Sequence, residues 1–166
     1  MLDKLREAED YLRKNFDSIT WGSLFIDYEK PHVYRLWTQW GENRIYLHKI
    51  MPCEAEDAFW HPHPWASAVK IISGSYEMGV GLYHTTTFKM SAKLILGPNT
   101  TYEMTEQDGY HYVRPLEPVY SIMVTGPKWY EHKDQKVELR KLSELEYNVL
   151  VNFFKHYYRY GITLAN

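Results

Sequence analysis

Apolar residues recur along this chain at two different periods. At residues 2–16, Leu2, Leu5, Leu12 and Phe16 fall near one face, with Asp3, Lys4, Arg6, Glu7 and Lys14 elsewhere. That helical spacing predicts an amphipathic helix packed on the outside of the main body. From residue 23 the period shortens towards two. Apolar and aromatic runs at 23–28, 33–40, 44–51, 66–72, 76–83, 86–90, 93–96, 101–104, 110–113 and 119–124 read as strands. Lys30-Pro31, Gly41, Pro52, Ser73-Gly74, Gly97-Pro98-Asn99 and Gly126-Pro127 punctuate them. Short strands spaced by roughly 8–12 residues predict a sandwich or closed barrel. Nothing clearly helical lies between them, which disfavours parallel βαβ units.

A helical pattern returns at 142–160, with Ser143 as N-cap, Glu146 completing a capping box and Gly161 as the stop. The reading is one all-β domain over 1–166. It has an N-terminal helix and connector at 1–20, a barrel at 23–133 and a C-terminal helix at 142–160.

Composition narrows the function classes. Charged residues make up 24% of the 166 and apolar ones 45%, a globular balance that excludes wholesale disorder. The single cysteine, Cys53, excludes a disulfide framework and a Cys-rich zinc module and reads as an ordinary thiol. A net charge of −2 leaves no basic footprint for nucleic acid. No apolar run approaches ~18 residues, so no membrane partner is expected. The acidic N-terminal segment is not a signal peptide, and a cytoplasmic protein is the expectation. Aromatic content is 16%, with 15 Tyr and 6 Trp. Their apolar bodies and polar tips suit a barrel with a partly polar interior.

The segment that carries chemistry is Trp60-His61-Pro62-His63-Pro64-Trp65. Alternate residues of a strand share a face, so His61 and His63 project together. Among eight histidines, one His-x-His pair arises readily by chance. Two features raise its weight. Gly74 follows after Ile71-Ile72-Ser73, and His111 lies in a later predicted strand that an antiparallel barrel can bring alongside. Three imidazoles from two strands suit Zn, Fe, Ni, Cu or Mn.

These residues resemble the cupin superfamily. Its first motif runs Gly, five residues, His-x-His, three or four residues, Glu, six residues, Gly. His61 and His63 take the histidine positions and Gly74 the last glycine, but Ala55 replaces the first Gly and Ser67 the Glu. Gly97 and His111 fit the second motif loosely. His-Pro-His-Pro-Trp, Ser-Gly-Ser-Tyr-Glu and Thr-Gly-Pro-Lys resemble the small uncharacterised bacterial and phage cupins that carry His-x-His-Pro-Trp. The resemblance spans roughly 44–130. It implies a jelly-roll β-barrel, a divalent metal on His61, His63 and His111, and a homodimer. Aromatic strands with exposed edges also favour a dimer.

The missing Glu has a chemical consequence. Three neutral histidines leave the full charge of a divalent ion, which favours a small anionic substrate. With iron, the resemblance implies dioxygenase-type chemistry, as in three-histidine cupins acting on thiols and diketones. With Zn, Ni or Mn, an isomerase, epimerase or lyase is equally allowed. The alternative is a non-catalytic barrel that binds a small molecule.

Strand parity places Trp65, Ser67 and Val69 on the histidine face, as pocket residues. Tyr76 and Tyr102 are candidate proton donors, and His48 is a candidate substrate group, with an exposed strand histidine as its bland alternative. His84 is a candidate fourth ligand. Glu77 and Glu103 are candidates to replace the lost carboxylate, though each reads more simply as a solvated strand residue. His32, His132 and His156 read as surface residues. The mixed charges of the first helix read as a solvated face. Residues 155–160 read as a helix end packing its tyrosines on the barrel or on a second subunit.

Overall fold

The structure, a computed structural model, describes residues 1–84, 87–130 and 139–161, with the backbone alone for 83–84 and 87–88. Helix α1 (Leu2–Asn15) ends in a 3-10 turn at Phe16–Ser18. The strands follow: β1 (Gly22–Ile26), β2 (Val33–Trp40), β3 (Asn43–Ile50), β4 (His61–Pro62) and β5 (Trp65–Ser73). Then come β6 (Tyr76–His84), β7 (Thr87–Leu96), β8 (Thr101–Met104), β9 (Gly109–Pro115) and β10 (Val119–Lys128). Helix α2 (Glu144–Tyr160) completes the order.

The strands form two antiparallel sheets. One has six strands in the order β1-β2-β3-β10-β5-β8, the other four in the order β4-β9-β6-β7. With a helix flanking the strands on each side in sequence, this is an antiparallel jelly-roll fold. Two glycines make its corners possible. Gly41, at φ +58°, opens the two-residue turn that lets Trp40 pair with Asn43. Gly74, at φ +79°, carries the chain from β5 in the larger sheet to β6 in the smaller one. A Cβ there would lie 2.4 Å from the Pro118 carbonyl oxygen, so only glycine fits.

Each face of the six-stranded sheet meets a different layer. Leu36, Leu47, Ala68, Ile72, Ile122 and Val124 face the helices, against Leu5, Leu12, Leu150 and Phe154. Lys70, on the same face, reaches Glu9 of α1 at 2.9 Å. The opposite face turns towards the smaller sheet, where Ile50, Ile71 and Val119 pack with Tyr76 and Met78. Ala68 and Lys70 of β5 therefore lie under the helix layer. At α2, the Glu146 N–H donates to Ser143 Oγ and the Ser143 N–H to Glu146 Oε2, the expected capping box. Gly161 adopts the left-handed C-cap.

Two strand readings need correction. The runs read as 86–90 and 93–96 join, over their described residues, in one strand, β7, which pairs along β6 through a register irregularity at Val80/Gly81. The alternation from His61 to Ile71 is not one strand. It breaks between β4 and β5, because Pro64 lacks the N–H that a ladder needs. Among the described residues, no helix is long and apolar enough to cross a membrane.

Candidate metal centre

Among the described strands β4 pairs only with β9, and its register sets His61 directly opposite His111. His63 follows immediately. Nε2 of His111 lies 2.9 Å from Nε2 of His63 and 3.1 Å from Nε2 of His61. All three ligand atoms fall within 4.8 Å of one another. His61 Nδ1–H donates to the Phe59 carbonyl at 3.3 Å, which leaves its Nε2 lone pair facing the other two rings. Three imidazole edges meeting this closely cannot all be satisfied by their own protons, and a cation between them relieves the lone-pair repulsion.

The spacing fits a metal. Metal–nitrogen bonds of about 2.1 Å put neighbouring nitrogens ~3.0 Å apart in octahedral geometry and ~3.4 Å apart in tetrahedral geometry. Two of the three separations, 2.9 and 3.1 Å, are close to these spacings. Burial holds all three rings in the neutral, ligating form. It pushes His63 down to about 3, helped by His61 and by the Arg35 guanidinium. Burial likewise lowers His61 and His111, with repulsion from the other two histidines adding to the effect at His111. Among the described residues no carboxylate joins the cluster. Ser67 is buried and lines the same space, without a negative charge.

The histidines open on a cavity of about 270 Å³ between the sheets, lined also by Arg35, His48, Ser67, Val69, Tyr76 and Tyr102. The ladder places its floor in rows: Arg35 opposite His48, His48 opposite Ser121. The Tyr76 hydroxyl donates to that of Tyr102 at 2.7 Å. Burial pushes both phenols up, Tyr102 to about 12, so each keeps its proton at neutral pH.

Other sequence candidates fall elsewhere. Trp65 does not line this cavity. Beyond the break at Pro64, it stacks on His63 with ring centroids 6.4 Å apart and borders a smaller pocket with Arg44 and Lys128. Glu77 accepts from the Tyr112 hydroxyl at 2.7 Å and pairs with Lys93. Glu103 pairs with the N-terminal amine at 2.8 Å. Neither reaches the histidines. Cys53 borders a separate pocket with Lys30, Asp57 and Arg114, and burial raises its thiol. His156 bonds the Asn152 carbonyl on α2, and Tyr158 stacks on Phe16. The His84 side chain and His132 lie outside the described residues.

Several cavity residues escape sequence reasoning, among them Glu29, Ser121 and Arg35. In β2, Val33, Arg35 and Trp37 share one face, while Tyr34, Leu36 and Trp40 share the other. Both faces are equally apolar, so nothing local marks Arg35 as an inward residue.

No protein-family model matches the chain, and no curated protein matches it. Similar solved structures include hydroxypropylphosphonic acid epoxidase from S. wedmorenis, at 9% identity and TM-score 0.47 over 63% of this chain and 55% of that one. KdgF from Halomonas sp. matches at 16% identity and TM-score 0.46, over 68% of this chain and 91% of that one. A conserved protein of unknown function from Streptococcus pyogenes matches at 14% and 0.45, over 61% and 80%. The chain thus spans about half the length of the epoxidase. The molecule is a two-sheet antiparallel β jelly roll with a three-histidine cluster able to hold a metal ion.

Proposed function

We propose that this protein is a metal-dependent enzyme that holds a divalent cation on His61, His63 and His111 and acts on a small anionic molecule. The observation that carries this reading is the convergence of three neutral imidazole Nε2 atoms at the wall of an internal cavity. When bound, the cation supplies an electrophilic centre with open coordination positions. The three histidines contribute no charge, so the centre keeps the full ionic charge and prefers an anionic donor. Tyr102 accepts from Tyr76 and keeps its own hydroxyl proton free to donate to a bound oxygen, with Tyr76 orienting it. Val69 and Val113 supply apolar wall that excludes water from the reacting group. Dioxygenase-type chemistry is the leading reaction class if the cation is iron. Isomerase, epimerase or lyase chemistry follows if it is Zn, Ni or Mn.

The reading includes a homodimer. Leu94 and Ile95 are exposed on β7, an edge strand of the four-stranded sheet, and offer it apolar surface. Light scattering on the purified protein tests this point.

A second reading is favoured by one observation. No carboxylate among the described residues joins the cluster, the two cavity phenols are held protonated, and the one carboxylate among the described lining residues, Glu29, is exposed. A barrel that binds a small molecule without turning it over accounts for that.

Elemental analysis of untagged protein, beside His61→Ala and His111→Ala, tests the metal. One near-stoichiometric metal, lost in both variants, supports the proposal, and its identity selects the reaction class. Wild-type protein that holds none and takes up none on titration with Fe²⁺, Zn²⁺ or Ni²⁺ overturns it.

A further inference from the structure

Of the half-buried cationic side chains on the six-stranded sheet, Lys49 lies over the Tyr34 and Tyr120 rings, while Lys70 and Arg35 are treated very differently. Lys70 has a carboxylate, Glu9, at 2.9 Å. Arg35 has none within 4.0 Å among the described residues. Its partners are all uncharged. Its Nε–H donates to His48 Nε2 at 3.0 Å, and its guanidinium carbon sits 5.0 Å from the centre of the Tyr46 ring. Tyr46 in turn stacks on His48, with centroids 5.9 Å apart. Because a guanidinium always donates, His48 Nε2 must accept, and the His48 proton sits on Nδ1. The imidazole is therefore neutral and cannot serve as a counter-ion. A cation held away from water without an opposite charge is costly, and proteins rarely leave one so unless something else supplies the charge.

The unused part of the guanidinium shows what fits. Nε is occupied by His48, whereas the two Nη groups donate to no atom of the described residues. That leaves the end-on pair of N–H groups, the fork that matches a planar carboxylate with two parallel hydrogen bonds. Arg35 and the three histidines line one cavity. With a divalent cation in place, the cavity then carries two separate positive centres.

We propose that Arg35, oriented by His48, anchors a carboxylate of the ligand, so that the substrate is a small bifunctional acid. One donor group reaches the cation on His61, His63 and His111, and a separate carboxylate meets the Arg35 fork. This rests on the metal reading above. Arg35 is a specificity-determining residue for charge, and His48 is the positioning residue that fixes its plane.

The test uses full-length, untagged protein loaded with Co²⁺, whose visible spectrum reports ligands entering the metal site. The probes are succinic acid monohydroxamate and butyrohydroxamate. They have the same chain length and the same chelating group, and differ by a carboxylate in place of a methyl. Wild type is expected to bind the acid about tenfold to a hundredfold more tightly, the range for a hydrogen-bonded charge pair. Arg35→Met is expected to bring the two probes within about twofold at unchanged cobalt content. Arg35→Lys keeps the charge without the fork and retains only part of the preference. Wild type that shows no preference, or binds neither probe with cobalt in place, overturns the anchor and leaves the metal reading standing. Undiminished preference in Arg35→Met does the same. If Arg35→Met fails to fold by urea titration, Arg35→Lys decides, and an undiminished preference there overturns the anchor. Wild type that takes up no cobalt overturns the metal reading and this proposal together.

Discussion

On one face of the six-stranded sheet stand Leu36, Leu47, Ala68 and Ile122, sealed beneath the helices. One residue earlier or later in the same strands stand Arg35, His48, Ser67 and Ser121, turned towards the cavity. Neighbouring positions on one backbone thus serve opposite purposes, because a strand alternates its faces at every residue. The helix-covered face is a dry aliphatic and aromatic layer that pins the sheet. The cavity face gives up that packing to hold polar groups, and it depends on the other face for its rigidity. A slip of one residue in pairing would exchange the two sets entirely, so the apolar layer also fixes the register of the candidate site.

The largest expected effect strikes the helix side alone. Phe154→Ala, at a fully buried position on α2, should cost about 3–5 kcal/mol in urea unfolding. Metal content per folded molecule should stay unchanged. Loss of metal binding in that variant would show that the two faces are not separable.

Acid should discriminate them next. In metal-free protein, His63 is held near 3 and His61 and His111 are lowered too, against about 6.5 in an unfolded chain. The unfolded state therefore binds more protons in that window. The histidines' contribution is fully present above about pH 6.5 and is lost as pH falls towards 3. His63→Gln should flatten the stability curve there, whereas Phe154→Ala should lower it without changing its slope.

A smaller effect belongs to the cavity side. Tyr102→Phe removes the acceptor of the buried Tyr76 hydroxyl and should cost about 1–3 kcal/mol. Metal content should hold. The smallest lies outside both faces: Ser143→Ala removes the α2 cap for about 1 kcal/mol and should leave hydroxamate binding untouched.

Local pattern carried the sequence reading a long way. Both helices, the Ser143–Glu146 box and most strand cores are set by periodicity and by turn residues, which act over a few positions. What failed needed knowledge of neighbours. Whether Thr-Thr-Phe-Lys-Met and Lys-Leu-Ile-Leu join as β7 depends on β6 offering a ladder for the whole length. Trp65 has the strand parity of Ser67 and Val69 but stands at the start of β5, beyond the cavity, against His63 and Lys128. Arg35 was invisible because a lone arginine in a strand ordinarily reaches for water. Only the placement of β2 beside β3 sets it against His48. The three histidines were readable as a set from their spacing, but the direct pairing of His61 with His111 is a property of the register between two strands far apart in sequence.

That pairing has a mechanical side. Strand β4 is two residues long, lies at the margin of its sheet and pairs, among the described strands, only with β9. A segment so short has little to keep it from fraying. A cation gripped by both His61 and His111 would act as a rivet across that seam. Its arrival would slow amide-hydrogen exchange around residues 59–64, and its departure would loosen the rim of the cavity. Occupancy of the centre and access to it would then be one and the same variable.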